Sequence, residues 1–412
     1  MSSDWVLTKL SSLGSFERGK SKHRPRDASH LYGGPYPFVQ TGDVTSAGGR
    51  ITSYRQTYTE AGLAQSRLWP TGTLAITIAA NIAETALLTF PACFPDSVVG
   101  FTAGAGKADV RFVEYLFRAM RERVQSRAYG SVQENINLEV LRDLAFPIPP
   151  FQLQVEIANC LALFDDRIAL LRETNATLEA IAQALFKSWF VDFDPVHAKQ
   201  QGVAPAGMDE ATAALFPDSF EESPLGLVPQ GWQIKTLQDL LVLQRGFDLP
   251  AQDRVHGAYP IIAASGPSGC HEEAMAKGPG VVTGRSGVLG RVFLELGDYW
   301  PLNTTLWVKE FRAATPCYAY EMLRLLDFKS YNAGSAVPTL NRNHIHGLPY
   351  VIPSRAAVEA YEAIAVQLHQ RVRTNEQQAQ TLATLRDTLL PRLISGQLRL
   401  PEAQAALTEA TA

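Results

Sequence analysis

From Ile157 onward, apolar residues recur in alternating steps of four and three: Leu161, Phe164, Ile168, Leu171, then Leu178, Ala182, Leu185 and Trp189. The slot between Leu171 and Leu178 holds Asn175. A second stretch follows the same plan through Val358, Tyr361, Ala365, Leu368, Val372, Asn375, Ala379 and Leu382, breaks at Arg386, and resumes at Leu389 and Leu393. Such steps are the heptad spacing of helices that pack along a seam. Pro149-Pro150 and Pro353 predict the helix starts, and Asp194-Pro195 and Gly396 predict the ends. In antiparallel pairing, matching Ile157 to Leu393 and Trp189 to Tyr361 places Asn175 opposite Asn375. One buried Asn on a seam fixes register at a cost in stability. The alternative is that both Asn face solvent.

The flanking blocks, 1–150 and 231–353, have another texture. Thr73–Ile78, Gly280–Thr283 and Leu306–Lys309 are predicted short strands between Gly, Pro and Asn turns, and Val110–Arg127 and Tyr318–Phe328 are predicted helices. Strand order does not follow from this pattern. Residues 196–230, rich in Ala, Pro, Gly, Asp and Glu, suggest a solvated linker, and 397–412 a tail.

The chain repeats itself. Gly130-Ser131, Asn137, Leu144, Phe146 and Pro149 recur as Gly334-Ser335, Asn341, Leu348, Tyr350 and Pro353, each 204 residues later. Trp5, Leu10, Leu13 and Arg18-Gly19 recur as Trp232, Leu237, Leu240 and Arg245-Gly246, shifted by 227. The plan is therefore block (1–150), helix (151–195), linker (196–230), block (231–353), helix (354–396) and tail. The expected fold class is α+β: two similar mixed α/β domains separated by two long helices in an antiparallel coiled coil, with internal pseudo-two-fold symmetry.

Composition sharpens this. The 412 residues carry 37 Lys plus Arg and 41 Asp plus Glu, net −4, with 46% apolar residues. That excludes a disordered or highly charged tail protein. By segment the net charge is +3 over 1–150, −8 over 151–230, +1 over 231–353 and 0 over 354–412. Only the blocks are basic, and mildly so. Cys93, Cys160, Cys270 and Cys317 stand singly, which argues against a zinc site or a disulfide framework. With no run of about 18 apolar residues, a cytoplasmic protein is expected.

The search for enzymatic motifs fails. Ile148-Pro149-Pro150-Phe151 resembles the loop of adenine amino-methyltransferases, but Ile148 offers no acceptor for the target amine. Gly100 to Gly106-Lys107-Ala108 is one residue too long for a phosphate loop and lacks its Ser/Thr. His344 and His346, read as two His on one side of a strand, have no third metal ligand in view. No catalytic residue, bound metal or cofactor is expected in this chain.

Two similar heads on a helical spacer of about 33 residues, roughly 50 Å, suit a split DNA site, because a turn of B-DNA is about 34–36 Å. Here the residues carry a resemblance. Gly130-Ser-Val-Gln-Glu-Asn-Ile136 with Phe146–Pro150, Thr177–Asp194, Gly334–Arg342 and Thr381–Gly396, in this order, resemble the specificity subunit of type I restriction-modification systems. The resemblance implies that each block is a target-recognition domain reading one half of a bipartite, asymmetric site. It implies no catalysis in this chain. It also implies partners: double-stranded DNA, two methyltransferase (modification) subunits and restriction/translocase subunits. S-adenosylmethionine, ATP and Mg would sit on those partners. A non-catalytic scaffold, or a DNA-binding adaptor of a related phage-defence system, is the rival.

Candidate contacts follow from chemistry. Lys20, Lys22, Arg24 and Arg26 form the densest basic run and would hold phosphates, or merely line a solvated loop. Ser131, Gln133 and Asn135, and in the second copy Ser335, Asn341 and Arg342, would reach DNA or build a shared turn. Arg285 with Ser286 is the second block's best exposed cation, and Gln40 and Thr41 are further candidates. Phe186, Trp189, Phe190 and Phe193 either dock the methyltransferase subunits or close the end of a domain core.

Overall fold

Both heptad stretches fold as 40-residue helices, Phe151–Phe190 and Arg355–Ile394. The computed structural model describes residues 5–79, 81–129, 138–334 and 336–411. It divides into two units: Met1–Leu171 with Gln378–Ala412, and Arg172–Gln377. Each unit takes part of both helices into its own core.

In unit 1, a five-stranded sheet has the order Gly14–Arg18, Val98–Ala103, Leu74–Thr77, Thr85–Leu88, Arg50–Ile51. All its pairings are antiparallel except the last. The predicted Val110–Arg127 helix is two, Val110–Ala119 and Arg121–Tyr129, and Asp109 caps the first by accepting from the Arg111 N–H. Phe16, Ile76 and Phe101 from the sheet meet Phe112 and Leu116 from that helix. The first long helix adds Ile157, Leu161, Phe164 and Ile168, and the second adds Leu382, Leu389 and Leu393. Burying an apolar stripe in this way drives helix packing at about 25 cal/mol per Å².

The seam break at Arg386 has a partner. Its guanidinium pairs with Asp165 on the facing helix, and Asp165 also accepts from the Tyr115 hydroxyl at 2.6 Å. Beyond it, Gly396 ends the helix with φ +71. Residues 397–412 are not a loose tail: Leu400–Thr411 is helical, and Ala403 is buried against unit 1 with Leu400 and Leu407 beside it.

Unit 2 follows a comparable plan. Its four-stranded antiparallel sheet runs Leu241–Arg245, Thr305–Phe311, Gly280–Gly284, Val292–Glu295. The strand pair Gln233–Thr236 with Pro349–Ile352 matches Val6–Lys9 with Ala145–Ile148 in unit 1. Pro316–Leu325 takes the place of the unit 1 helix that starts at Val110. Along the long helices within this unit, Asn175 lies opposite Asn375, and the Tyr361 hydroxyl donates to the Ala182 carbonyl. That order makes the two segments antiparallel and brings the two Asn together on a buried seam.

Two readings from sequence are corrected here. The 196–230 stretch is folded, with helices Asp194–Gln200 and Glu210–Ala213 and a hairpin of Phe220–Ser223 with Gly226–Pro229. Val196, Phe216 and Val228 anchor it. Phe186, Trp189 and Phe190 offer no docking surface, being 1%, 5% and 8% exposed. They pack edge-on with Tyr318, Tyr361 and Phe216, because the second domain's layers close over the end of the first long helix. Phe193 lies half-buried between Trp232 and Phe220. Among the described residues no helix is long and apolar enough to cross a membrane.

Candidate nucleic-acid interface

A cationic concavity in unit 2 forms where the strand Leu241–Arg245 ends. Gln244, Arg245, Gly246, Phe247, Asp248 and Arg342 line an open recess of about 530 Å³. Its shape depends on Gly246. A Cβ there would sit 2.2 Å from the Leu302 carbonyl oxygen, so only glycine lets the chain turn against that backbone. The Gly246 N–H donates to the Thr305 carbonyl at 3.1 Å, and the Phe247 N–H to the Pro301 carbonyl at 2.8 Å. Arg245 is thereby presented at the rim, 3.6 Å from Asp248. Asn303 donates to the same Asp248 carboxylate.

Arg342 enters from the short helix Arg342–His346. Asn341 caps that helix by accepting from the Asn343 N–H at 3.0 Å. Strand pairing shifts between Val242 and Leu243, and the Leu243 N–H donates instead to Nε2 of buried His346 at 3.0 Å. Burial and the nearby Arg342 push the His346 pKa down, so the ring stays neutral and accepts. Arg342 itself donates to the Leu243 carbonyl at 3.3 Å. The His344/His346 pair thus lies on a helix, where residues two apart point in different directions, and His346 is structural.

Arg285 is half-buried, which corrects its reading as an exposed cation. Its N–H donates to the Thr304 carbonyl, and its guanidinium reaches the Asn303 carbonyl at 3.5 Å. Ser286 is tied down in the same way to Thr304. Sequence reasoning missed Gln244, Arg245, Asp248 and Asn303. The signal was present, since Arg245-Gly246 is one of the repeated pairs.

Unit 1 repeats the turn at Arg18-Gly19. A Cβ on Gly19 would lie 2.2 Å from the Pro95 carbonyl oxygen, and the Gly19 N–H donates to the Val98 carbonyl at 2.9 Å. The basic run follows at once. Lys20 and Lys22 are exposed. Arg24 folds back on the Ser21 and His23 carbonyls, both at 2.8 Å. Arg26 grips both oxygens of Asp96 at 3.0 Å. Nearby, the Arg67 guanidinium lies 4.1 Å from the Trp69 ring centre and pairs with Glu17. Gln40 is committed to Gln56 and, through its N–H, to Asp43, while Thr41 opens the helix Thr41–Ser46. Ser131, Gln133, Asn135 and Ser335 lie outside the described residues. Among the described residues, no group of three or more His, Cys, Asp or Glu is placed to hold a metal ion.

Residues 2–180 match the family model of the type I restriction modification DNA specificity domain. Over 97% of its length the chain is 22% identical to the type I restriction enzyme MjaIX specificity subunit of Methanocaldococcus jannaschii, covering 94% of that protein. Over 71% it is 23% identical to the HindI specificity subunit of Haemophilus influenzae, covering 78% of that one. The crystal structure of a type I restriction-modification S subunit from M. genitalium shares the fold, with TM-score 0.57 and 19% identity over 94% of this chain and 96% of that one. Residues 2–180 thus resemble the type I restriction modification DNA specificity domain, and over 97% of its length the chain is similar to a type I restriction enzyme specificity subunit.

Proposed function

We propose that this chain is the DNA sequence-specificity subunit of a type I restriction-modification complex. Each target-recognition domain reads one half of an asymmetric bipartite site. The helical regions set the spacing and dock two methyltransferase subunits, and restriction/translocase subunits complete the assembly. The chain recognises and does not catalyse: methyl transfer with S-adenosylmethionine, and ATP- and Mg-dependent translocation and cleavage, belong to its partners. The complex works in the cytoplasm, where its DNA is.

One observation carries this reading: the Arg-Gly turn recurs at the end of the corresponding strand in both domains, each time delivering cations to an exposed edge. Around Arg245 and Arg342 the groups present are base-reading types, with Gln244 and Asn303 beside two guanidiniums. A mildly basic head supports only weak binding alone, so most phosphate neutralisation falls to partner subunits.

The test is methylated-base mapping with the assembled methyltransferase. Arg245→Ala and Arg342→Ala should each relax sequence choice in one half-site by about ten- to a hundredfold, roughly 1–3 kcal/mol, and leave the other half unchanged. Methylation by the purified chain alone, or relaxation of both halves together, would overturn the assignment.

A further inference from the structure

We propose that unit 2 carries a binding site for a small organic cation, a guanidinium or a primary ammonium, in a cavity on the flank of its helical segments. Glu179 from the first long helix, Glu376 from the second and Glu295 from the strand Val292–Glu295 converge on a space of about 380 Å³. Phe293 and Tyr320 supply aromatic walls.

The charge there is unbalanced. Among the lining residues only Arg373 is a permanent cation, against three carboxylates. Beside the cavity, the Arg324 guanidinium lies 3.2 Å from both Glu321 oxygens, which offset its charge, and 5.1 Å from the Tyr320 ring centre. Burial pushes the Glu295 carboxyl up to about 7 and raises Glu376 as well, as expected of carboxylates short of counter-charge.

A second observation is independent of the acids. His369 lines the same cavity and is only 6% exposed, yet its Nε2 has no hydrogen-bond partner. The nearest carboxylate oxygen, on Glu321, is 3.9 Å away. A buried polar nitrogen left unpaired costs about 1–3 kcal/mol. Burial keeps the ring neutral, so it carries a lone pair able to accept.

Ligand chemistry follows from these groups. Guanidinium and ammonium bring donors only, which match carboxylates and an imidazole lone pair. A planar cation also gains from an aromatic face such as that of Phe293. An anion would meet three carboxylates, and a neutral ligand would leave their charge uncompensated. The cation could be a free diamine-like metabolite or an Arg or Lys side chain of a partner subunit.

Agmatine, which carries both head groups, is the probe. Titrated calorimetrically into the full chain at low salt, it should bind saturably, one per chain. Binding should tighten from pH 6 to pH 8, because the cation favours ionised Glu295 and Glu376. Glu376→Gln, at an exposed position that leaves the fold intact, and Glu295→Gln should each weaken it about tenfold or more. Glu222→Gln, on the exposed hairpin of the same unit, should not change it. Absence of saturable binding, or equal binding by all three variants, would overturn the site. Adding modification subunits separates the sources: loss of agmatine binding in the complex identifies a partner side chain, and retention identifies a free ligand. The inference is independent of DNA recognition, and its failure would leave that reading intact.

Discussion

Asn375 donates through Nδ2 to Oδ1 of Asn175 at 2.8 Å, and Asn175 donates in turn to the Val372 carbonyl at 3.1 Å. Asn375 Oδ1 is left without a partner. The pair therefore specifies alignment more than it adds stability. Asn175→Leu should cost about 1–3 kcal/mol, because it strands the Asn375 carboxamide in a buried seam. Replacing both by Leu should recover most of that loss. Urea unfolding of the two variants checks this, and a double variant no more stable than the single would contradict it.

Gly246→Ala places a Cβ 2.2 Å from a backbone oxygen that cannot swing away. The strand must shift, at a cost on the order of 1–3 kcal/mol. Arg245 moves with it, so DNA affinity should fall with thermal stability. Gly19→Ala should do the same in unit 1, where the obstructing oxygen belongs to Pro95. Melting curves and gel-shift titrations of the assembled complex measure the two effects.

The basic run divides into free and committed members. Lys20 and Lys22 are exposed, whereas Arg24 caps carbonyls and Arg26 holds Asp96. Lys20→Ala with Lys22→Ala should flatten the slope of log K against log salt by about 1.8, two phosphate contacts at roughly 0.9 each. Arg26→Ala should leave the slope unchanged and lose about 0–1 kcal/mol of stability from an exposed ion pair. A slope that responds to Arg26 but not to the lysines would reverse the assignment.

His369 gives unit 2 an acid-sensitive element. Burial pushes its imidazole from 6.5 down to about 4. A depressed folded-state pKa contributes stability that is fully present above pH 6.5 and lost as pH falls towards 4. Glu321, raised to about 7 by burial, runs the other way: its contribution is present below about 4.5 and lost as pH rises to 7. Comparison with His369→Gln isolates the histidine. The stability difference between wild type and variant should shift against the wild type by up to about 3 kcal/mol between pH 7 and pH 4. A pH-independent difference in urea midpoints would show that His369 does not titrate in this range.

The helices were legible in the sequence because a seven-residue period kept up from Ile157 to Trp189, and from Val358 to Leu382, suits a packed helix and neither a strand nor a loop, and Asn175 and Asn375 marked the register. Sheet order was not legible: strands of two to seven residues carry no record of which neighbour they choose. The 196–230 stretch hid its fold because Val196, Phe216 and Val228 are too widely spaced to form a period. Phe186, Trp189 and Phe190 suited a docking face and a core equally well, and only the strands and helices folded over them decide between the two. Arg285 looked exposed between Gly284 and Gly287, but its own backbone hydrogen bonds tether it. Arg245 was visible as part of a repeat, yet its role needed the carbonyl that makes Gly246 obligatory.

Unit 1 is built from two separated lengths of chain, and unit 2 is one uninterrupted length between them. A ribosome delivers these in order. Residues 172–377 emerge, and can fold, before Leu382, Leu389 and Leu393 exist to cover Phe112 and Phe164. At roughly 5–20 residues per second, that interval lasts on the order of 10–40 s. The later unit in sequence is thus the first whose residues are all available to fold, while the first head waits for its closing helix.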